Sequence, residues 1–468
     1  MNFVEECSLK FIAEACDAEI RRGASETLVK NVCTDSRQAK AGDLFFAIRG
    51  EKFDGHDFLG EVAAKNVAAV VIGKSKIHNS NSKAAADVAA LVVDDARIAL
   101  GKLAAAYRRQ FDLPVVCVCG SNGKTTVKEL LASVLQRKFL TLASEASFNN
   151  DIGVPLTLLR IEKTHQAAVL EAGTNHPGEL APLVKMIQPK FGVLTNIGRE
   201  HLEFFGDVAG VAREEGSLAE FLPADGKLFV NGDNDWTEKI IARTKARVVR
   251  VGLGKENDWC AEKIRLDKSG VTFRVTAAKD EFCGEYRINL LGRHQAVNAL
   301  SAIAAGAELG LNRAEIQGGL DDCKPPKMRL QFWEANGVRV LDDAYNANAD
   351  STIAALETLC DLPLQGRRVA VLGDMEELGA HSEAAHTEVG KCAAELKIGQ
   401  LFAVGRMAAI TAKAARDGGL TRVIEFENVE AAVRAVRSFL KAGDVVLLKA
   451  SRASRLERIA ETLRQEKL

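Results

Sequence analysis

The feature that most constrains the fold is a glycine-containing loop between an apolar run and an amphipathic segment. The loop spans residues 120–126 (GSNGKTT); VVCVC precedes it and VKELLASVLQRKF follows it. In the segment after the loop, apolar residues recur on one face of a helix: Val127, Leu130, Leu131, Val134 and Leu135. A strand, a glycine loop and a helix in this order are the context of a phosphate-binding loop, because backbone amides and the helix N-terminus favour anions. The sequence therefore predicts a nucleotide site on a parallel α/β sheet.

Within this phosphate loop (residues 120–126), two side chains carry the expected chemistry. Lys124 is expected to reach the terminal phosphates, and the Thr125 hydroxyl is expected to bind Mg²⁺. The loop departs from the full pattern, since Val118 stands where the first glycine belongs. The alternative is an ordinary glycine turn at a helix start. The residues expected to contact the nucleotide here are Gly120, Ser121, Asn122, Gly123, Lys124, Thr125 and Thr126.

Composition and charge exclude several classes of protein. The chain has 468 residues, of which 47% are hydrophobic and 27% charged, and its formal net charge is -1. Such a balance provides no basic field for nucleic acid or an anionic membrane surface. The first residues, MNFVEEC, carry acids where a signal peptide requires a basic start, and no apolar run is long enough to cross a bilayer. We therefore expect a cytoplasmic protein without membrane insertion, whose ten scattered cysteines are reduced thiols.

Alternation of short apolar runs with amphipathic stretches predicts an α/β protein of three domains. We expect a small α/β domain over 1–95, a central phosphate-loop domain with a parallel sheet over 96–323, and a C-terminal doubly wound, Rossmann-like domain over 324–468. The segment KPPKMR resembles a linker, because its two prolines disfavour helix. In the third block, RRVAVLGDM, QLFAVGR and DVVLLKASR are strand-like runs that end in polar or glycine-containing turns.

Polar residues follow two further strand-like runs of the central block. The run QAAVL ends at Glu171, and FGVLTNIG is followed by Arg199, Glu200 and His201. Because the carboxyl ends of parallel strands meet at one edge, we expect Glu171 and His201 to lie beside the phosphate loop and bind a cation there. The alternatives are a turn carboxylate and an ordinary loop histidine.

With these residues in place, the chain resembles the Mur ligase superfamily, which also includes folylpolyglutamate synthase. The resemblance covers nearly the whole chain. Its motifs follow in the order of the family: TDSR with GDLFFA, GSNGKTT, FNNDIGVPLTLL, TNIGREHLEFFG, GRHQAVNAL, PPKMR, DDAYNAN, VLGDMEELG and KASR. The resemblance implies an N-terminal domain that binds a UDP-sugar, a central ATPase domain and a C-terminal ligase domain.

The same resemblance implies roles for residues outside the phosphate loop. His294, Asn298 and Asp343 are expected to contact the adenosine part of ATP, and Arg329 is expected to reach over its phosphates. The residues expected to bind the UDP-peptide or the amine acceptor are Ser36, Arg37, Asn149, Asn150, Tyr345, Asn346, Asn348 and Arg452. Lys124, Glu171, His201 and Arg329 are the expected catalytic residues.

One departure from the family bears on the metal. The family usually has a carbamoylated lysine after the residue that matches His201, and the carbamate binds a second Mg²⁺. The matching run here, residues 211–218 (VAREEGSL), contains no lysine, and register places Glu215 at that position. We therefore expect Glu215 to join Thr125, Glu171 and His201 as a metal ligand. Glu214 is the alternative by a shift of one residue, and a solvated helix glutamate is the other.

The resemblance implies a ligase that activates a carboxylate with ATP and Mg²⁺ and joins it to an amine through an acyl phosphate. The motif DDAYNAN implies UDP-N-acetylmuramoyl-tripeptide and D-alanyl-D-alanine as substrates, and closure of the third domain is expected to bring in Arg329. A family member that uses another amino acid or folate is the nearest alternative. A phosphate-loop hydrolase or motor and a non-catalytic nucleotide-binding scaffold are the others. We expect a monomer.

Overall fold

Strands and helices alternate along most of the chain in the computed structural model, which describes residues 7–75 and 88–465. The strands are β1 (Cys7–Ser8), β2 (Glu19–Arg22), β3 (Leu28–Val29), β4 (Asn31–Cys33), β5 (Asp43–Phe46), β6 (Ala69–Gly73), β7 (Ala89–Val93), β8 (Val115–Cys119), β9 (Thr141–Ala143), β10 (Ala167–Glu171), β11 (Phe191–Leu194), β12 (Lys227–Asn231), β13 (Arg247–Gly252), β14 (Trp259–Asp267), β15 (Gly270–Ala277), β16 (Gly284–Ile288), β17 (Gln331–Ala335), β18 (Val338–Asp343), β19 (Arg368–Gly373), β20 (Gln400–Val404), β21 (Val423–Phe426) and β22 (Val445–Lys449). The helices are α1 (Leu9–Cys16), α2 (Leu59–Ala64), α3 (Ala96–Arg108), α4 (Lys124–Leu135), α5 (Gly153–Leu158), α6 (Leu180–Ile187), α7 (Leu202–Phe205), α8 (Val208–Glu215), α9 (Ser217–Glu220), α10 (Thr237–Ile241), α11 (Gln295–Glu308), α12 (Arg313–Asp322), α13 (Ala349–Asp361), α14 (Ser382–Glu395), α15 (Ala408–Asp417), α16 (Val429–Phe439) and α17 (Glu457–Gln465). The predicted α/β class is confirmed.

The chain forms two compact units. The first comprises Met1–Cys117, Phe139–Thr174 and Glu179–Phe191, and the second comprises Val118–Lys138, Asn175–Gly178 and Gly192–Leu468. The division into three domains at residues 95 and 323 stays a prediction. Residues 1–6, which contribute to the expectation that the chain lacks a signal peptide, lie outside the described residues.

The first unit contains a five-stranded sheet in the order β2-β7-β6-β5-β4. Strand β2 is antiparallel to β7, whereas the other neighbours are parallel. The run DLFFAI, predicted as β-like, supplies β5, and Phe45 is buried with Leu59 and Val62 of α2. The same unit holds the parallel pair β9 and β10, and β10 ends at Glu171.

The second unit holds the phosphate loop between β8 and α4. Helix α4 packs against α11 and α12. The approach to α12 is close, because a Cβ at Gly319 would lie 2.4 Å from the Cα of Val134. Strands β11 to β16 follow in sequential order; β12, β13 and β14 pair in parallel, while β15 and β16 are antiparallel to their neighbours. This arrangement fixes the loop between a buried strand and a buried helix.

A second sheet of this unit has the order β17-β18-β22-β19-β20-β21. Strand β17 is antiparallel to β18, and the remaining pairs are parallel. Its core includes Val340, Val371, Phe402 and Leu448. Parallel strands with helices between them match the predicted doubly wound arrangement. Asp343 and Lys449 stand at the carboxyl ends of β18 and β22, the edge where ligands bind in such sheets.

The longest described helices, α11 and α14, have 14 residues each. A helix of that length spans about 21 Å, less than the hydrocarbon core of a bilayer. Among residues 7–75 and 88–465, none of the helices combines the length and the apolar character that crossing a membrane requires.

Candidate functional site

The phosphate loop begins where β8 ends and leads directly into α4, as predicted. Gly120 and Gly123 have φ values of 117° and 87°. A Cβ at Gly120 would lie 2.4 Å from the Thr195 hydroxyl, so both backbone angle and space require glycine there. The first hydrogen bond of α4 runs from the Val127 amide to the Gly123 carbonyl. The amides of the first turn are therefore directed out of the helix N-terminus, where an anion is favoured.

Three amides of the phosphate loop are held by the protein itself. The Gly120 amide donates to Oε2 of Glu215 at 2.6 Å, and the Ser121 amide donates to the Asn196 carbonyl at 2.9 Å. The Asn122 amide donates to the side-chain oxygen of Asn196 at 2.8 Å. The predicted nucleotide-binding residues Gly120, Ser121 and Asn122 thus have their amides engaged, and Asn196 is a shaping residue that the sequence analysis missed.

Lys124 lies at the centre of a charged group. Its ammonium donates to the carbonyl oxygens of Gly120 and Ser121, and it is 3.3 Å from Oε2 of Glu200. The side chains of Lys124 and Glu200 are 13% and 8% exposed. A cation held beside a helix N-terminus by a buried carboxylate suits a polyanionic ligand, because binding can exchange one anionic partner for another.

Glu215 is the last residue of α8 and is completely buried. Burial raises the pKa of Glu215 to about 8, against the lowering effect of Lys124, and the neighbouring Glu200 raises it further. Glu215 therefore interacts electrostatically with Lys124 and Glu200, and it bonds the Gly120 amide of the phosphate loop. Glu214, the alternative by frame shift, is half-buried and accepts a hydrogen bond from the Gly178 amide at 2.8 Å.

Several buried oxygens at these positions have no hydrogen-bond partner. In the second unit they are Oγ1 of Thr125, Oε1 of Glu200 and Oε1 of Glu215. In the first unit, Oε2 of Glu171 is in the same condition. Unpaired buried carboxylate and hydroxyl oxygens are costly unless a ligand completes them, and hard oxygens are the ligands of Mg²⁺. Within the described ranges no group of three or more His, Cys, Asp or Glu residues is arranged to hold a metal.

Glu171 is fixed by the asparagine segment of the first unit. Its Oε1 accepts a hydrogen bond from the side chain of Asn149 at 2.8 Å, and its amide donates to the Ser144 hydroxyl. Asn150 accepts from the amides of Ile152 and Gly153 at the start of α5. Both asparagines were predicted as substrate residues; the structure gives them local contacts that position Glu171 and α5.

His201 has a φ of 48° and stands just before α7. Its Nδ1 is bonded to Oε2 of Glu377, and its Nε2 lies 3.8 Å from Oε2 of Glu200. The hydrogen bond with His201 lowers the pKa of Glu377. A carboxylate on Nδ1 fixes the ring and leaves Nε2 for another partner, which is the usual arrangement of a ligating histidine. Glu377 lies in the quoted motif VLGDMEELG, but its pairing with His201 was not foreseen.

A cavity of about 230 Å³ brings together most of the predicted nucleotide residues of the second unit. Its lining includes Asn122, Gly123, Thr126, His294, Asn298, Arg329 and Asp343. The His294 side chain is exposed and lines this cavity, so its ring is open to hydrogen bonding or stacking with a ligand. Arg329 thus lines the same cavity as part of the phosphate loop, and closure of the third block stays a prediction.

A second cavity of about 400 Å³ contains three of the predicted substrate residues, Tyr345, Asn346 and Arg452. His201 and Glu377 line it as well. The Arg329 guanidinium lies over the Tyr345 ring, 4.3 Å from its centroid, and Arg329 itself lines the nucleotide cavity. The contact between these two side chains therefore links residues of both cavities.

Asn348 lines neither of these two cavities. Its side-chain oxygen accepts from the Ser351 amide and caps α13, and its nitrogen donates to Oδ1 of Asn122 at 3.0 Å.

In the first unit, Ser36 is buried, whereas the Arg37 side chain is 84% exposed and forms a bidentate pair with Asp35. An anionic substrate that uses the Arg37 guanidinium must replace that pair.

Arg199 joins the loop that carries His201 to two helices of the second unit. Its amide and Nε each donate to Asp350 at 2.8 Å, and its Nη atoms also bond Glu388. The approach is tight, since a Cβ at Gly198 would lie 2.8 Å from Oδ2 of Asp350. The loop that contains Glu200 and His201 is thereby anchored to α13 and α14.

We expect Arg199→Met to lower the free energy of unfolding by about 1–2 kcal/mol, because partly exposed charged hydrogen bonds are lost and two carboxylates lose their partner. Urea unfolding at low and high salt measures the effect, which salt should diminish. Arg265→Met, which removes a pair 69% and 64% exposed, is the control and should change stability by less than about 0.5 kcal/mol. Equal effects of the two substitutions would contradict the anchoring role.

Comparison with known proteins places the chain in a family. Three family models match: "Mur ligase family, catalytic domain" at residues 28–108, "Mur ligase middle domain" at 118–306 and "Mur ligase, glutamate ligase domain" at 328–452. The UDP-N-acetylmuramoyl-tripeptide--D-alanyl-D-alanine ligase of Escherichia coli is 34% identical over 98% of each chain. The structure resembles MurF from Acinetobacter baumannii with a TM-score of 0.90 and 32% identity over 99% of this chain and 100% of that chain. It also resembles MurF ligase from Thermotoga maritima in complex with ADP, with a TM-score of 0.79 and 26% identity over 92% and 96%. The predicted family is confirmed: this chain belongs to the Mur ligases.

Proposed function

We propose that this protein is an ATP-dependent ligase that joins D-alanyl-D-alanine to UDP-N-acetylmuramoyl-tripeptide through an acyl phosphate, with ADP and phosphate as the other products. The cavity that brings part of the phosphate loop together with His294, Arg329 and Asp343 is the observation on which the proposal chiefly rests. The full-length similarity to ligases of that name in Escherichia coli and Bacillus subtilis supports the choice of substrates.

The chemistry follows from the difficulty of the bond. A carboxylate does not react with an amine at neutral pH, because oxide is a poor leaving group. Transfer of the γ-phosphoryl group to the peptide carboxylate releases ADP and creates an acyl phosphate. The acceptor amine then attacks the acyl carbon, phosphate leaves, and the amine proton passes to solvent.

The phosphate loop and the residues that line the nucleotide cavity bind and orient ATP for the first transfer. The ammonium of Lys124 and the guanidinium of Arg329 neutralise charge on the phosphoryl oxygens, and the first turn of α4 binds them through its amides. His294 and Asn298 hold the adenosine part, and the Asp343 carboxylate accepts a hydrogen bond from a ribose hydroxyl. Placement and charge neutralisation provide most of the expected rate enhancement.

We propose Thr125, His201 and Glu215 of the second unit as residues that hold Mg²⁺ together with the phosphates, and Glu171 of the first unit stays a proposed metal ligand. The unpaired buried oxygens of Thr125, Glu171 and Glu215 fit such an ion. When bound, Mg²⁺ supplies charge neutralisation at the phosphoryl group being transferred. The ring of His201 is oriented for this role by Glu377.

The second cavity is the proposed site of the amine acceptor, with Tyr345, Asn346 and Arg452 as binding residues. The Arg452 side chain is 58% exposed and can pair with the carboxylate of a dipeptide. Ser36, Arg37, Asn149, Asn150 and Asn348 stay proposed substrate residues. We further propose a cytoplasmic monomer that binds neither nucleic acid nor membranes.

Phosphate release tests the function directly. Purified protein is given ATP, Mg²⁺, UDP-N-acetylmuramoyl-tripeptide and D-alanyl-D-alanine, and each component is omitted in turn. We expect phosphate and the UDP-pentapeptide in equal amounts only in the complete mixture. When the tripeptide carboxylate carries oxygen-18, one labelled oxygen should appear in the phosphate released, because the acyl phosphate keeps the carboxylate oxygen.

Three results would speak against the proposal. ATP turnover without either cosubstrate would indicate a hydrolase, and turnover with glutamate, a diamino acid or folate in place of the dipeptide would indicate another ligase of the family. Product with unlabelled phosphate would exclude the acyl phosphate.

A further inference from the structure

Lys449 holds an ammonium in the interior, where β18 and β22 end side by side. The strands pair so that Asp343 faces Lys449. Nζ of Lys449 lies 2.7 Å from Oδ2 of Asp343 and donates to the Asn346 carbonyl at 2.8 Å. The side chain of Lys449 is 3% exposed, and that of Asp343 is 10% exposed. One buried cation therefore bridges the end of β18 and the loop that follows it.

The two partners of Lys449 belong to different cavities. Asp343 lines the nucleotide cavity with Leu330, and its Oδ1 accepts a hydrogen bond from the Leu330 amide at 3.1 Å. Asn346 lines the second cavity, next to Tyr345. A ligand that hydrogen-bonds the Asp343 carboxylate can thus alter the hydrogen bond between the Lys449 ammonium and the Asn346 carbonyl.

A contribution to stability alone does not explain this arrangement. A buried ion pair must offset the cost of removing two charges from water, and an apolar pair of similar volume is often as stable. Burial indeed lowers the pKa of Lys449, against the raising effect of Asp343. The ammonium does provide rotatable hydrogen-bond donors, which it can direct to a carboxylate or to a carbonyl.

We propose that Lys449 is a positioning residue that couples the two cavities. This inference rests on the proposed function. A ribose hydroxyl that donates to Asp343 satisfies part of its carboxylate, so the ammonium turns more fully to the Asn346 carbonyl. The loop from Tyr345 to Asn346 is then held in the arrangement that binds the acceptor. Nucleotide and acceptor consequently favour each other's binding, as linkage requires.

Calorimetric titration of the full-length protein with D-alanyl-D-alanine tests this coupling. Each titration is done with and without a non-hydrolysable ATP analogue and Mg²⁺. In the wild type, the nucleotide should tighten acceptor binding about tenfold, a coupling of ordinary size. In Lys449→Met the same factor should fall below about twofold.

The matched control acts at the opposite end of the same strand. Arg367 pairs with Asp444, just before β22, at 2.6 Å. Arg367→Met should therefore keep the coupling of the wild type. Lys449→Gln is a second variant that retains a polar amide donor without the charge, so it serves if Lys449→Met does not fold; urea unfolding checks both.

The inference would be overturned if the nucleotide tightened dipeptide binding in Lys449→Met or Lys449→Gln as much as in the wild type. It would also be overturned if Arg367→Met lost this effect as fully as Lys449→Met. A wild-type protein that ligates but shows no coupling would overturn the inference alone. A protein that binds neither the nucleotide nor the dipeptide would overturn the inference and the proposed function together.

Discussion

Lys124→Ala should lower kcat/KM for ligation by about a thousandfold or more, the size of effect typical when a cation that stabilises phosphoryl transfer is removed. Lys124 lies at the N-terminus of α4, within 3.3 Å of Glu200 and near Glu215. Its removal leaves two buried carboxylates facing the phosphates without a compensating charge. The loss should fall on the first step, so oxygen-18 transfer to phosphate should decrease as much as product formation.

The effect of Lys124→Ala must be separated from a general loss of structure. Lys413→Ala removes a lysine whose side chain is 78% exposed, and it should leave kcat/KM unchanged. Lys124→Arg keeps the charge but not the compact ammonium, so it should also lose most activity. Binding of the UDP-tripeptide, measured by calorimetry, should persist in Lys124→Ala. If Lys124→Ala retained more than a tenth of wild-type activity, the assignment of Lys124 would be wrong.

Much of the fold could be predicted because its signals are local. The apolar run VVCVC and the helical period of the segment after it predict a strand and a helix, and β8 and α4 are present. The runs RRVAVLGDM, QLFAVGR and DVVLLKASR supply β19, β20 and β22. In each case, neighbouring residues carry the pattern that determines the element.

The contacts within the site were less predictable because they join distant segments. The Gly120 amide meets Glu215 across 95 positions, and Asn122 meets Asn348 across 226. The same side-chain types allow several partners, so the sequence alone does not say that Asn348 caps α13 or that Arg37 pairs with Asp35. The pattern S/T/D/N before a helix was available for Asn348 and indicates such a cap.

Glu215 was predicted as a metal ligand by aligning residues 211–218 with the family's lysine-containing run, not from a local sequence pattern. The structure adds its complete burial and its hydrogen bond with the Gly120 amide, neither of which follows from the letters VAREEGSL. A solvated helix glutamate, the alternative from sequence, is excluded by that burial. Its binding to Mg²⁺ stays a proposal.

We expect Glu215→Gln to lower kcat/KM by about a hundredfold, because the amide keeps the shape but cannot balance the charge of a divalent cation. The apparent affinity for Mg²⁺ should fall along with the rate. Glu214→Gln, one residue away on the same helix, is the matched control and should stay within about twofold of the wild type, because Glu214 is half-buried beside Gly178.

Acid–base linkage provides a readout that is independent of the metal. Burial holds the pKa of Glu215 at about 8, so without nucleotide the folded protein keeps a proton that the unfolded chain loses above its ordinary carboxyl pKa. The stability that Glu215 contributes should therefore be lost as pH rises from about 5 to 8, because the unfolded state binds fewer protons at this group. Glu215→Gln should remove this part of the pH dependence, and urea unfolding at both pH values measures it.

Glu215→Lys tests whether this glutamate stands in for a carbamate. A lysine here should recover activity only when bicarbonate is supplied, because its ammonium must lose a proton and its amine must add carbon dioxide, with loss of a second proton, before the resulting carbamate can bind Mg²⁺. The wild type, whose Glu215 side chain already carries a carboxyl group, should work equally well in buffer freed of carbon dioxide. A wild-type enzyme that requires bicarbonate, or a Glu215→Ala variant with full activity without it, would place the anionic ligand elsewhere.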